Sequence, residues 1–180
     1  MKNFRFQNKT DIRFGTGRLD VELHDAVSQF GSRVLFVYGG HSIKKSGLYD
    51  TVTGLLADLQ LTELPGIEPN PKIDSIRAGQ KLVKDQDIDV VLAVGGGSVI
   101  DAAKVIASAK FYEGDPWDLV KDRGVTRRKL QQLPVVDILT LAATGSEMNN
   151  GSVISNPVTH EKLGTCLLYT SPSPRDYAAS

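Results

Sequence analysis

Apolar residues fall into two rhythms along the chain. One rhythm is dense and short. Arg33-Val-Leu-Phe-Val-Tyr38 is a run of β-branched and aromatic residues ending at Gly39-Gly40, as expected of a buried parallel strand that stops in a turn. Gln60 to Leu64 predicts a short second strand, Ile88-Asp-Val-Val-Leu-Ala-Val94 the most apolar one, and Pro134 to Leu141 a last strong strand. The other rhythm has helical spacing. Leu19, Leu23, Ala26, Val27 and Phe30 share one helix face, with Gly31 where a helix end wants a left-handed residue. Leu48, Val52, Leu55 and Leu56 place a helix within Ser42 to Asp58. Ile73 to Lys84 predicts another, and a further one follows Gly95-Gly-Gly-Ser98 through Phe111.

Strands alternating with such helices predict βαβ units, a parallel sheet and an α/β fold class. Ile67-Glu-Pro-Asn-Pro71 reads as a loop, because neither proline suits a helix interior or a central strand. Asp115 to Gln132 is polar and charge-rich, as a surface excursion would be, and Pro157-Val-Thr-His-Glu161 suggests a hairpin. No repeat of fixed period is visible. Residues 1–165 therefore read as one domain. Residues 166–180 break the pattern, with Pro172 and Pro174 two positions apart. That end resembles a translated sequencing-adapter read-through, the alternative being an ordinary disordered tail.

Composition narrows the partner. The 180 residues carry 21 Lys plus Arg against 21 Asp plus Glu, without a basic stripe, so no footprint of nucleic acid or of a membrane surface is expected. A small molecule is the expected partner. Met1 to Lys9 is polar with no apolar signal core, which predicts a cytoplasmic protein. The single cysteine, Cys166, cannot form an internal disulfide framework.

The strongest chemical signal is Val91-Leu-Ala-Val-Gly95-Gly96-Gly97-Ser98-Val-Ile-Asp101-Ala-Ala-Lys104, a strand running through three glycines into a helix. Without Cβ atoms, backbone N–H groups at a helix start can approach a phosphate that the helix dipole also favours. The run is neither the G-x-G-x-x-G fingerprint nor a P-loop. A ligand-free reading remains open, in which Ser98 is the N-cap and Asp101 closes a capping box.

That run, with Glu68-Pro-Asn-Pro71 upstream and Thr140-Leu-Ala-Ala-Thr-Gly-Ser-Glu147 downstream, resembles the iron-containing alcohol dehydrogenases, in particular their NADP-linked butanol dehydrogenase and aldehyde reductase branch. The resemblance covers about residues 1–165. It implies a dehydroquinate synthase-like dinucleotide-binding domain, followed in the intact relative by a helical metal-binding domain that this chain lacks. It implies that Gly95, Gly96, Gly97 and Ser98 hold a pyrophosphate, that Asn70 contacts the adenosine side, and that Thr140, Leu141, Thr144, Asn149 and Lys162 line the cofactor cleft. Asp101 is implied to face the nicotinamide side, although capping serves it equally well. NAD-preferring relatives place an Asp after the first strand, where this chain has Gly39, Gly40, His41 and Ser42. Loss of that carboxylate removes repulsion toward a 2′-phosphate and implies NADP, with NAD left open if the glycines merely permit a turn.

The implied activity is hydride transfer between NADP(H) and a small alcohol or aldehyde, with a divalent metal, iron or zinc, held by the missing domain. No catalytic residue and no metal ligand is assigned within this chain. His24, His41 and His160 have no ligand spacing, and Trp117 reads as a packing anchor. A glycerol or glycerol-phosphate dehydrogenase of the same fold and a nucleotide-binding fragment without turnover are the rival readings, and a homodimer is left open.

Overall fold

A computed structural model describes residues 10–122, 125–126, 129–143 and 145–166. The opening residues 1–9, Thr144 and most of the foreign-looking end, 167–180, lie outside the described residues. The chain folds as α1 (Arg18–Ser28), β1 (Arg33–Tyr38), α2 (Ser42–Lys45), α3 (Leu48–Leu55), β2 (Gln60–Leu64), α4 (Ile73–Asp85), β3 (Val90–Gly96), α5 (Gly97–Ala109), α6 (Pro116–Lys121), β4 (Val135–Leu141), β5 (Gly151–Asn156) and β6 (Glu161–Cys166). Strands β1 to β4 form one parallel sheet in the order β2-β1-β3-β4. β5 and β6 make a separate antiparallel hairpin.

The dense apolar runs are strands because both of their faces are covered. Leu35, Val37, Val91 and Ala93 point to the side of α4 and α5. Val34, Phe36, Tyr38, Val90, Leu92 and Val94 point to the side of α1, α2 and α3. β1 and β3 are therefore buried nearly throughout, whereas β4 is half-buried. On the α5 side the helices touch so closely that a Cβ on Gly79 would stand 2.5 Å from Ile106 Cδ1.

Three expectations shift. The segment 42–58 is broken into two helices by Gly47, whose φ of 76° no helix interior allows. β3 starts and ends two residues later than the apolar run suggests, because Gly95 and Gly96 still pair with β4 and the helix begins at Gly97. The polar connection after Asp115 is not wholly a surface excursion. Asp115 caps α6 by accepting the Trp117 N–H at 3.0 Å, Pro116 supplies a fixed φ at the first turn, and Trp117, Leu119 and Val120 are buried. Trp117 is the packing anchor its sequence context suggested. The hairpin turn falls at residues 157–160 as expected, and β6 runs on to Cys166, one residue into the expected tail. Among the described residues no helix is long and apolar enough to cross a membrane.

Candidate functional site

The connection from β1 runs to β2 on one side, while β3 and β4 lie on the other, so the chain changes direction between β1 and β3. Open α/β sheets present a crevice at such a point, beyond the carboxyl ends of their strands. Here it is a cleft of about 1060 Å³, lined by Gly39, Gly40 and Ser42 after β1, Asn70, the Gly95–Ser98 junction with Asp101, Thr140 and Leu141 at the end of β4, Asn149, and Lys162 of the hairpin. Every candidate named from the sequence except Thr144, which lies outside the described residues, stands on its wall.

The glycines are there for space and not for unusual backbone angles. Neither Gly39, Gly40 nor any of Gly95, Gly96 and Gly97 has positive φ, so no left-handed turn requires them. A Cβ on Gly95 would stand 2.6 Å from Val99 Cγ2, so that glycine seats the first turn of α5. A Cβ on Gly96 would meet only Leu141 Cβ, at 3.7 Å, and would otherwise project into open space. Gly96 is also the N-cap of α5, and no side chain caps that helix. Its free N–H groups thus face a cleft that an added side chain would begin to fill.

The capping box does not form. Ser98 lies within the helix, and its Oγ accepts the N–H of Asn70 at 3.3 Å. Asp101 Oδ2 accepts the N–H of Val153 at 2.9 Å across to the hairpin, and its buried Oδ1 has no hydrogen-bond partner among the described residues. Asn70 itself has a φ of 56°, uncommon for a non-glycine residue, and its Oδ1 accepts from Lys162 Nζ at 2.5 Å. One strained loop residue is therefore held by helix and hairpin together. Asn149 turns its side chain into its own loop, donating to the Gly145 carbonyl and accepting from the Gly151 N–H, both at 2.8 Å.

The motif runs contain Lys104 and Ser146 without assigning either to the cofactor cleft, and Val153 and Thr165 fall outside every motif. The last three line the cleft. Lys104, which closes the glycine-rich motif, sits one turn beyond Asp101 on α5 and donates to loop carbonyls. Asp137, in the middle of β4, has its carboxyl pushed up to about 6, chiefly by burial, with Glu147 adding and Lys104 opposing. His24 pairs with Asp58 at 3.0 Å, which raises its pKa, while His160 occupies the hairpin turn with a φ of 54°. Among the described residues no group of three or more His, Cys, Asp or Glu could hold a metal ion.

Comparison with known proteins returns a consistent set. The family profile of iron-containing alcohol dehydrogenases matches residues 9–173. The chain is 46% identical over 166 residues to NADH-dependent butanol dehydrogenase A of Clostridium acetobutylicum, spanning 91% of this chain and 42% of that protein. It is 41% identical over 164 residues to the NADPH-dependent aldehyde reductase YqhD of Escherichia coli, spanning 90% and 41%. The crystal structure of an NADH-dependent butanol dehydrogenase A from Thermotoga maritima superposes with a TM-score of 0.81 at 41% identity, covering 92% of this chain and 42% of that one. The chain thus spans less than half the length of the relatives it matches.

Proposed function

This chain belongs to the iron-containing alcohol dehydrogenase family, and from that premise we propose that it is the dinucleotide-binding part of an oxidoreductase acting on a small alcohol or aldehyde. The observation that carries the reading is the uncapped, side-chain-free start of α5 at the centre of a cleft between β1 and β3. The pyrophosphate is held by the backbone of Gly95 to Ser98. The adenosine half lies over Gly39, Gly40 and Asn70, and the nicotinamide half over Thr140, Leu141 and the 145–151 loop. The dinucleotide, when bound, supplies the hydride. The chain's own part is to bind, orient and exclude water, and the partnerless Oδ1 of Asp101 is an acceptor waiting for a donor.

Relatives named for NADH and for NADPH both match, so preference rests on the residues of this chain. With no carboxylate at Gly39 or Gly40, the β1 end tolerates a 2′-phosphate, and we assign NADP(H). The described residues supply no ligand set for a divalent metal. By itself the chain binds cofactor without turnover. A cytoplasmic location and a nucleotide-binding domain that takes in all of β6, to Cys166, complete the reading.

The test is a titration of the chain with NADPH, followed by the fluorescence of the reduced nicotinamide. Gly96→Val should weaken binding by about 100-fold or more, the scale of losing a phosphate cradle, while the unfolding transition stays cooperative. A folded Gly96→Val chain with unchanged affinity defeats the assignment. Turnover of butanal by the chain above a buffer control defeats the claim that it is inactive alone.

A further inference from the structure

The cleft's wall beyond β4 has no sheet to hold it. Between Leu141 and Gly151 the described backbone forms a single 3-10 turn at Ser146–Met148, so ladder hydrogen bonds do not set its shape. Yet Ser146, Asn149 and Gly151 of this stretch all line the cleft. What they share is one cation. Lys104 Nζ donates to the carbonyls of Ser146 at 2.5 Å, Asn149 at 2.8 Å and Gly151 at 3.0 Å, with Asn149 Oδ1 at 3.4 Å. An ammonium has three protons, and three carbonyls converging on it fix the path of the chain between them.

Lys104 belongs to the helix that starts at Gly97. Seven residues separate them, about two turns or 10 Å along the axis. Asp101, one turn nearer the start, ties the same helix to Val153. The element that offers its N-terminus to the phosphates therefore also braces the wall on the far side of them. The β1 end, with Gly39, Gly40 and Asn70, takes no part in this bracing.

We propose that Lys104 is a positioning residue that holds the 146–151 loop in its cofactor-ready form, so that it determines affinity for the nicotinamide half of the dinucleotide and not for the adenosine half. This rests on the cofactor assignment made above. Without the clamp the loop must be ordered at the moment of binding, and that ordering cost falls only on ligands that reach the loop.

The experiment compares the unaltered chain with Lys104→Met, which keeps the length of the side chain and removes its donors, using two probes. NADPH should bind Lys104→Met about tenfold more weakly, while 2′,5′-ADP, which carries only the adenosine half, should bind within about twofold of the unaltered chain. Amide exchange should quicken across 146–151 and stay unchanged across 95–100. If Lys104→Met does not fold, Lys104→Arg serves, since a planar guanidinium cannot occupy the point where three carbonyls meet and should give the same split in smaller measure. Equal losses for both probes, or no loss for NADPH in a folded variant, overturn the proposal. An unaltered chain that binds neither probe overturns the cofactor assignment beneath it, which is a different result from a binding chain that ignores the substitution.

Discussion

The two ends of the parallel sheet are built on opposite plans. At the amino end, Asp89 at the entry to β3 accepts from the backbone N–H of Ser32 at 3.2 Å and of Arg33 at 3.0 Å, and from the Arg33 guanidinium at 2.6 and 3.1 Å. Asp87 joins the same arginine at 2.7 Å and Lys110 at 3.0 Å. Charge there is spent on charge within the chain. At the carboxyl end, glycines stand where side chains could have closed the gap, α5 begins without a side-chain cap, and Asp101 keeps an oxygen without a partner among the described residues. Polar groups satisfied internally hold a fold together, whereas groups left over at a concave edge are available to a ligand. Both ends belong to the same two strands, β1 and β3, so the difference lies in a few residues at each junction.

The sharpest way to break this comparison is to add one methyl group at each end. Gly31 has a φ of 141°, and a Cβ there would stand 2.5 Å from Asp89 Cβ and Oδ2. Gly31→Ala should cost about 3 kcal/mol or more, from backbone strain and the displaced carboxylate together. Gly96→Ala, whose Cβ has room, should change stability by less than about 1 kcal/mol. Urea unfolding of the two variants checks this, and equal losses would show that the ends are not differently built.

The next test uses two aspartates whose carboxyls move in opposite directions. Asp137 is raised to about 6 by burial, so between pH 4 and 6 the folded chain holds a proton the unfolded chain has released. Its contribution is complete below the ordinary carboxylate value and is lost as the pH rises through 6. Asp137→Asn should therefore stabilise the chain at pH 7.5 by up to about 2 kcal/mol relative to its effect at pH 4. Asp89 is lowered to about 2, chiefly by the Arg33 hydrogen bonds, so its contribution is present above pH 4 and is lost as the pH falls through 2. Asp89→Asn should cost about 1–2 kcal/mol at neutral pH, reduced by the exposure of Arg33, and little at pH 2. Thermal unfolding across this range decides both. A stability gain from Asp137→Asn that is the same at pH 4 and 7.5 would remove burial as the cause.

Much of this was legible beforehand because parallel strands buried on both faces write themselves as continuous apolar runs. Arg33–Tyr38 needed no correction. The run beginning at Ile88 named the right strand with the wrong ends, since glycine carries no apolarity and Gly95 and Gly96 could not be recognised as strand residues. Asn70, Gly95 to Ser98, Asp101, Thr140 and Leu141 came from three motifs, which do converge in space, while Gly39, Gly40, Ser42, Asn149 and Lys162 came from family positions outside them. What the motifs missed came from the hairpin, because Val153 and Thr165 owe their place to docking: Ser155 donates to the Pro71 carbonyl at 2.9 Å and Thr165 Oγ1 to that of Leu119 at 3.2 Å. Such long-range contacts leave no period in the sequence. The capping box failed for a related reason, its two side chains being drawn to Asn70 and Val153, far away along the chain.

The smallest expected effect concerns which dinucleotide the open end prefers. Gly39 directly follows β1 at the cleft, and since its φ is not positive, a side chain is not forbidden there by conformation. A Cβ would stand 3.4 Å from the Ile67 carbonyl and 3.7 Å from Val99 Cγ2, close but tolerable. Gly39→Asp would therefore place a carboxylate at the β1 edge without disturbing the strand. A carboxylate there accepts hydrogen bonds from ribose hydroxyls and repels a 2′-phosphate, so the NADPH to NADH preference should fall by about tenfold, or 1.4 kcal/mol. The amino end offers the control, because the Arg33 cluster is remote from the cleft and Asp89→Asn should leave that ratio where it was. Paired titrations of each chain with NADPH and NADH read the ratio directly. Equal affinities in the unaltered chain, or a Gly39→Asp chain with its ratio unmoved, would mean that the β1 end does not read the 2′ position, and the choice of cofactor would have to be sought elsewhere on the wall, with Ser42 and Lys162 the first residues to change.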